Sequence, residues 1–167
     1  MSKPGRRVAR SGGAEVVVAA PIDAVWQVVS DVTRTGEWSH ECRRVTWLSG
    51  ATAAAPGVRF RGTNRVGPLL RWSRISEMVT VEAPRRLAWR TTATWLYPDT
   101  TEWTIEFSDA GSGTRILQSY RVTKLSAFHD WLFAGVIPTH SDRGDALADD
   151  LRRIGDIALR DAVRAPA

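Results

Sequence analysis

The residues able to do chemistry are few and scattered. His40, His129 and His140 show no His-x-x-x-His spacing and Cys42 has no Cys-x-x-Cys partner, so no metal site is expected. The chain has no glycine-rich phosphate loop, no Gly-x-Ser-x-Gly elbow and no nucleophile with a base close in sequence. Cys42 has only Arg43 and Arg44 beside it and is set aside as a nucleophile. What remains is non-covalent acid–base work. Its candidate acids and bases are His40, Glu41, Glu77, His129 and Asp130, with Asn64 and Tyr120 as donors able to steady developing negative charge. Each histidine also reads as an ordinary surface or loop residue. Spacing alone assembles no catalytic set, so the catalytic residues are unknown, with His40, Glu41 and His129 as the candidates.

The elements that must position these groups are legible from periodicity. From Ser141 to Val163 the apolar residues Leu147, Leu151, Ile154, Ile157, Ala158 and Val163 follow one helix face, with Asp149, Asp150, Arg152, Arg153, Asp156, Arg160 and Asp161 around the rest. Ser141, just after Pro138, is the expected N-cap, and Asp142 and Asp145 suit the helix dipole. Ala14–Ala20 reads as a first strand, and Pro21 opens a helix striped by Ile22, Val25, Trp26, Val28 and Val29. A second short helix is expected at Gly36-Glu37-Trp38. Strands follow at Cys42–Leu48, Val58–Val66, Leu69–Val81, Leu87–Tyr97, Thr101–Phe107 and Thr114–Thr123, with a bulge expected near Ser73 or Ser76. Lys124–Ile137, with Phe128, Trp131, Leu132 and Phe133, reads as a short helical or irregular insertion. Strands in meander order predict an antiparallel sheet with one dry face. The long helix is the only element able to cover it.

Composition narrows the class. At 167 residues, 43% hydrophobic and 25% charged, the chain has the makings of one soluble domain with no span long enough for a bilayer. No apolar leader is evident and there is a single cysteine, which fits a cytoplasmic protein. The net charge of +5 is mostly local. Lys3, Arg6, Arg7 and Arg10 supply four of those charges within residues 1–13, which are expected to be a disordered basic tail. A solvated end is preferred over a nucleic-acid or anionic-lipid contact, and no nucleic-acid partner and no integral membrane association are expected. Eight tryptophans against four phenylalanines and two tyrosines suit a core or an aromatic pocket. Asn64 and Gln118 lie on apolar strand faces, where an amide needs either a structural partner or a ligand.

Further residues carry a family resemblance. The strand into Ala20-Pro21-Ile22-Asp23-Ala24-Val25-Trp26, the stretch Asp31–Trp38, Pro56-Gly57-Val58-Arg59-Phe60-Arg61-Gly62 and the hairpin Gly111-Ser112-Gly113-Thr114-Arg115 resemble the START-like, or SRPBCC, superfamily over about Glu15–Arg164. Phe60 to Arg65 before Arg71-Trp72 is similar to the small bacterial members described as polyketide cyclase/dehydrase-like. The resemblance implies an α+β helix-grip fold over residues 14–164: a curved antiparallel sheet of about seven strands around a long C-terminal helix, with short helices after strand 1. It also implies a cavity between sheet and helix. The lining expected is Phe60, Asn64, Trp89, Trp95, Trp103, Phe107, Gln118 and Tyr120 from the strands and Leu147 and Leu151 from the helix, with Gly144, Ala148 and Gly155 leaving space. The function implied is binding, or transport, of a hydrophobic or aromatic small molecule such as a lipid or polyketide. Two other readings stay open: a cyclase, aromatase or dehydratase using acid–base chemistry in the same cavity, and a regulatory partner-binding module contacting through Lys3–Arg10. No cofactor is implied, and the expected state is monomer or homodimer.

Overall fold

Seven strands form one antiparallel sheet in the order β1-β7-β6-β5-β4-β3-β2, in a computed structural model that describes residues 8–95, 98–127, 130–131 and 143–164. The strands are β1 (Ser11–Val18), β2 (Cys42–Trp47), β3 (Arg59–Val66), β4 (Leu70–Glu82), β5 (Arg86–Thr91), β6 (Thr100–Asp109) and β7 (Thr114–Lys124). Between β1 and β2 lie α1 (Ile22–Ser30), a 3-10 turn (Val32–Arg34) and α2 (Thr35–Trp38), and α3 (Gly144–Arg164) closes the chain. The α+β helix-grip architecture is therefore present, with the short helices after strand 1.

Alternation explains the sheet's two faces. Along β7, Ile116, Gln118 and Tyr120 are buried while Arg115, Leu117, Ser119 and Arg121 are exposed. The β6–β7 turn uses Gly111 at φ 77, a left-handed conformation that favours glycine, and the Asp109 carboxylate accepts from the Gly111 N–H. The core joins Val25, Val28 and Val29 of α1 to Leu151, Ile154, Ile157 and Ala158 of α3 and to Ile105, Phe107 and Ile116 of the sheet. Thr114, fully buried, donates its hydroxyl to the Ala20 carbonyl at 2.7 Å and ties β7 to the entry of α1. Arg34 bridges Glu37 and Asp161, so the short helices are linked to α3 by charge as well as packing.

Several expectations need correction. The first strand begins at Ser11, so Ser11–Gly13 are not tail: Gly12 stands opposite Tyr120, where a Cβ would meet the Tyr120 ring and hydroxyl at 3.0–3.2 Å. Glycine there lets the ring lie over β1. Val8 is buried with its N–H on Asp130, and Arg10 pairs with the same carboxylate at 3.1 Å. The bulge in β4 falls between Met78 and Thr80 rather than near Ser73 or Ser76, so the inward parity runs through Ser76 and Met78 before it breaks. β5 ends at Thr91, although alternation in the sequence continues to Tyr97. Asp150 is not on the polar circumference of α3. It is 2% exposed, because it lies three residues after Leu147 and next to Leu151 on the inner stripe. The proposed N-cap Ser141, with Pro138, Asp142, His129, His140, Phe128, Leu132 and Phe133, lies outside the described residues.

Candidate functional site

α3 does not lie flat along the whole sheet. At its C-terminal half Gly155 brings it against β1, where a Cβ would stand 2.6 Å from Val18 Cβ and Cγ1. Close approach, not room for a ligand, is the reason for that glycine. Toward its N-terminal end the helix and sheet part, leaving a cavity of about 360 Å³ roofed by Arg143, Leu147 and Asp150 and rimmed by Trp38 to Cys42. The volume falls in the range of small-molecule sites.

The floor carries an aromatic row set by strand register. Trp89 of β5 stands opposite Trp103 of β6, which stands opposite Tyr120 of β7. The two indoles stack with centroids 6.2 Å apart and planes within 7°, and Trp103 lies 5.1 Å from Tyr120. The Arg143 guanidinium sits over both Trp103 and Tyr120, at 5.6 and 5.1 Å from the ring centroids. Burial pushes its pKa below the usual guanidinium value, with Glu41, Tyr120 and Asp99 acting in the opposite direction. Nearby, Arg74 of β4 donates from Nη1 to both Asp99 carboxylate oxygens at 2.8–2.9 Å and from Nη2 to the Asp99 carbonyl, a mostly buried ion pair at the cavity wall.

A second polar group faces the cavity from the α2 side. Asp150 accepts from the His40 N–H at 2.9 Å and holds His40 Nδ1 at 2.7 Å, and Arg153 donates to the same carboxylate. His40 Nε2 lies 4.0 Å from Glu41 Oε2. With Nδ1–H given to Asp150, Nε2 is the basic nitrogen, an arrangement suited to proton transfer. Cys42 also lines the cavity, but desolvation pushes its thiol up to about 11, so it is a weak nucleophile. Among the described residues no group of three or more His, Cys, Asp or Glu side chains converges to hold a metal ion.

Of the expected lining residues, Phe60, Asn64, Trp89, Trp103, Gln118 and Leu147 border the cavity, as do His40 and Glu41. Tyr120 is beside Trp103 in the row but is not among the lining residues; the Arg143 guanidinium lies over its ring. Phe107 and Leu151 lie in solid core, where Phe107 meets Trp26 of α1 edge-on at 6.1 Å. Trp95 is 92% exposed, because the chain has left the sheet at Thr91, and it is no part of the site. Sequence reasoning missed Asp150, Arg143, Trp38 and the Arg74–Asp99 pair. Only Asp150 carried a signal, a charge on an apolar helical stripe.

Known proteins agree with this architecture. None of the curated proteins matches the sequence. A Nitrosomonas europaea protein of known structure is 14% identical and superposes with a TM-score of 0.65, covering 92% of this chain and 96% of its own. A Thermus thermophilus protein gives 15% identity and a TM-score of 0.65, covering 91% and 99%. A polyketide-cyclase-like protein of Corynebacterium glutamicum is 26% identical, with a TM-score of 0.57 and coverage of 93% and 97%. The family described as polyketide cyclase / dehydrase and lipid transport matches residues 10–153. Its fold supports hydrophobic-ligand binding in general, and this chain belongs to that family.

Proposed function

We propose that the protein binds, and in a cell carries or presents, a hydrophobic or aromatic small molecule such as a lipid or polyketide in the cavity between sheet and α3. The observation that carries this reading is the 360 Å³ space floored by the stacked Trp89–Trp103 pair, an apolar surface that solid packing leaves open. On this reading the partner is a small molecule rather than nucleic acid, and the protein works in the cytoplasm as a monomer or homodimer. Isothermal titration calorimetry and thermal shift against a panel of fatty acids, neutral lipids and polycyclic aromatics test it. Saturable one-to-one binding with a raised Tm is expected. A flat response to the whole panel overturns it.

The His40–Asp150 pair favours a second reading, a cyclase, aromatase or dehydratase. His40 Nε2 would take a proton from carbon alpha to a ligand carbonyl, with Asp150 holding the imidazole in the productive tautomer. Turnover of a poly-β-ketone thioester mimic, lost in His40→Ala and retained in Trp95→Ala, supports it. Equal product distributions with and without the protein sink it.

A further inference from the structure

Leaving aside Arg74, whose guanidinium already holds Asp99, three buried polar groups have no hydrogen-bond partner among the described residues. They are the Gln118 Oε1, the Trp38 Nε1–H and the Arg143 Nε–H. All three residues line the one cavity. Gln118 is 3% exposed and Trp38 5% exposed, so both belong to the interior and meet the outside only through the cavity. A buried polar group without a partner costs about 1–3 kcal/mol, and three around one cavity mark places where a ligand completes the bonding.

Their chemistry specifies that ligand. Arg143 is a cation held over two aromatic faces, with no ion pair of its own among the described residues. The nearby Asp99 is already occupied by Arg74. An oxyanion would give the guanidinium the charge-assisted bond it lacks. Gln118 needs a donor for its Oε1, which a ligand hydroxyl supplies. Gln118 and Tyr120 are two residues apart on one face of β7, so the amide and the ring beneath Arg143 are about 7 Å apart along the strand. Trp103 and Trp89 extend the flat surface away from that pair. Trp38, at the end of α2, offers a donor to a further ligand oxygen.

Resting on the cavity-binding reading above, we propose that the ligand class is a hydroxylated aromatic acid, its ring system on Trp103 and Trp89, its carboxylate or phenolate on Arg143 and a hydroxyl on Gln118. A purely hydrocarbon lipid tail leaves all three groups unanswered and is the poorer fit.

The test is calorimetry on the full chain with 6-hydroxy-2-naphthoate, its methyl ester and 6-methoxy-2-naphthoate, with the neutral dye Nile red as a control for cavity access. The hydroxy acid is expected to bind at least tenfold more tightly than the ester and several-fold more tightly than the methoxy acid. Arg143→Met should bring acid and ester within twofold of each other, and Arg143→Lys should retain the preference for the acid. Gln118→Leu should erase the hydroxy–methoxy difference while the acid–ester difference stays. Unchanged circular dichroism and Tm exclude misfolding as the cause. If acid and ester bind wild type equally, or if Nile red binds and no naphthoate does, the ligand class is wrong and cavity binding stands. If neither dye nor naphthoate binds, both are wrong.

Discussion

Replacing Gly155 separates the packed half of α3 from the half that roofs the cavity. A Cβ at this position would stand 2.6 Å from Val18 Cβ and Cγ1 and 3.2 Å from Cγ2. Val18 is β-branched, with one stiff χ1, and is itself buried, so the side chain cannot swing clear and the helix must shift from β1. Overpacking of this kind costs about 1–3 kcal/mol. Removing a glycine from a helix interior returns about 1 kcal/mol. Gly155→Ala should therefore lose about 1 kcal/mol net, and Gly155→Leu about 3 kcal/mol or more. At this chain length the alanine variant should melt about 2–4 °C lower and the leucine variant about 6–12 °C lower. Urea denaturation followed by tryptophan fluorescence gives both stabilities, and titration of the folded protein with an apolar probe gives affinity. Affinity should stay within twofold in Gly155→Ala, because Gly155 does not border the cavity. A rise in stability for Gly155→Ala would show that helix propensity, not contact with Val18, governs the position, and lost binding in a stable variant would place the cavity where the account has solid core.

Other consequences are narrower. Asp150→Ala removes an acceptor for His40 and Arg153 from a 2% exposed site and should cost about 2–3 kcal/mol in urea unfolding, with Asp150→Asn losing less; an unchanged midpoint in both would contradict the assigned contacts. The raised Cys42 pKa lowers its thiolate fraction at pH 8 roughly 100-fold relative to a free thiol, so iodoacetamide should label the native protein far more slowly than the urea-unfolded one. The sign follows for stability: Cys42 costs nothing below the unfolded thiol's pKa, and the native state loses ground as pH climbs from there toward about 11. Trp95→Ala should leave stability within about 0.5 kcal/mol and probe affinity untouched, whereas Trp103→Ala should weaken binding; the reverse ranking would return Trp95 to the site.

The fold was legible because alternation and helical periodicity report which face of an element is dry. Phe60, Asn64, Trp89, Trp103, Gln118 and Leu147, which that parity turns inward, border the cavity. Parity does not report depth. Phe107 and Leu151 share the inner face yet sit where α1 and α3 close onto the sheet. Nor does it report where a strand ends: the pattern through Trp95 persists beyond the last strand residue, Thr91. The polar constellation was hidden for a different reason. His40 and Asp150 are 110 residues apart and Arg74 and Asp99 are 25 apart, so only tertiary packing brings them together.

If the space between sheet and α3 receives an apolar ligand, filling that space with a side chain must expel it. Gly62 borders the cavity, its φ is ordinary, and a Cβ there meets only Cys42 Sγ at 3.5 Å. Phenylalanine suits a strand and would project into the open volume. Nile red titrated against wild type and Gly62→Phe should bind wild type saturably at one site, and bind the variant at least tenfold more weakly with no drop in Tm. Equal affinity in the two proteins, or no binding to wild type, would mean that this space does not receive the ligand.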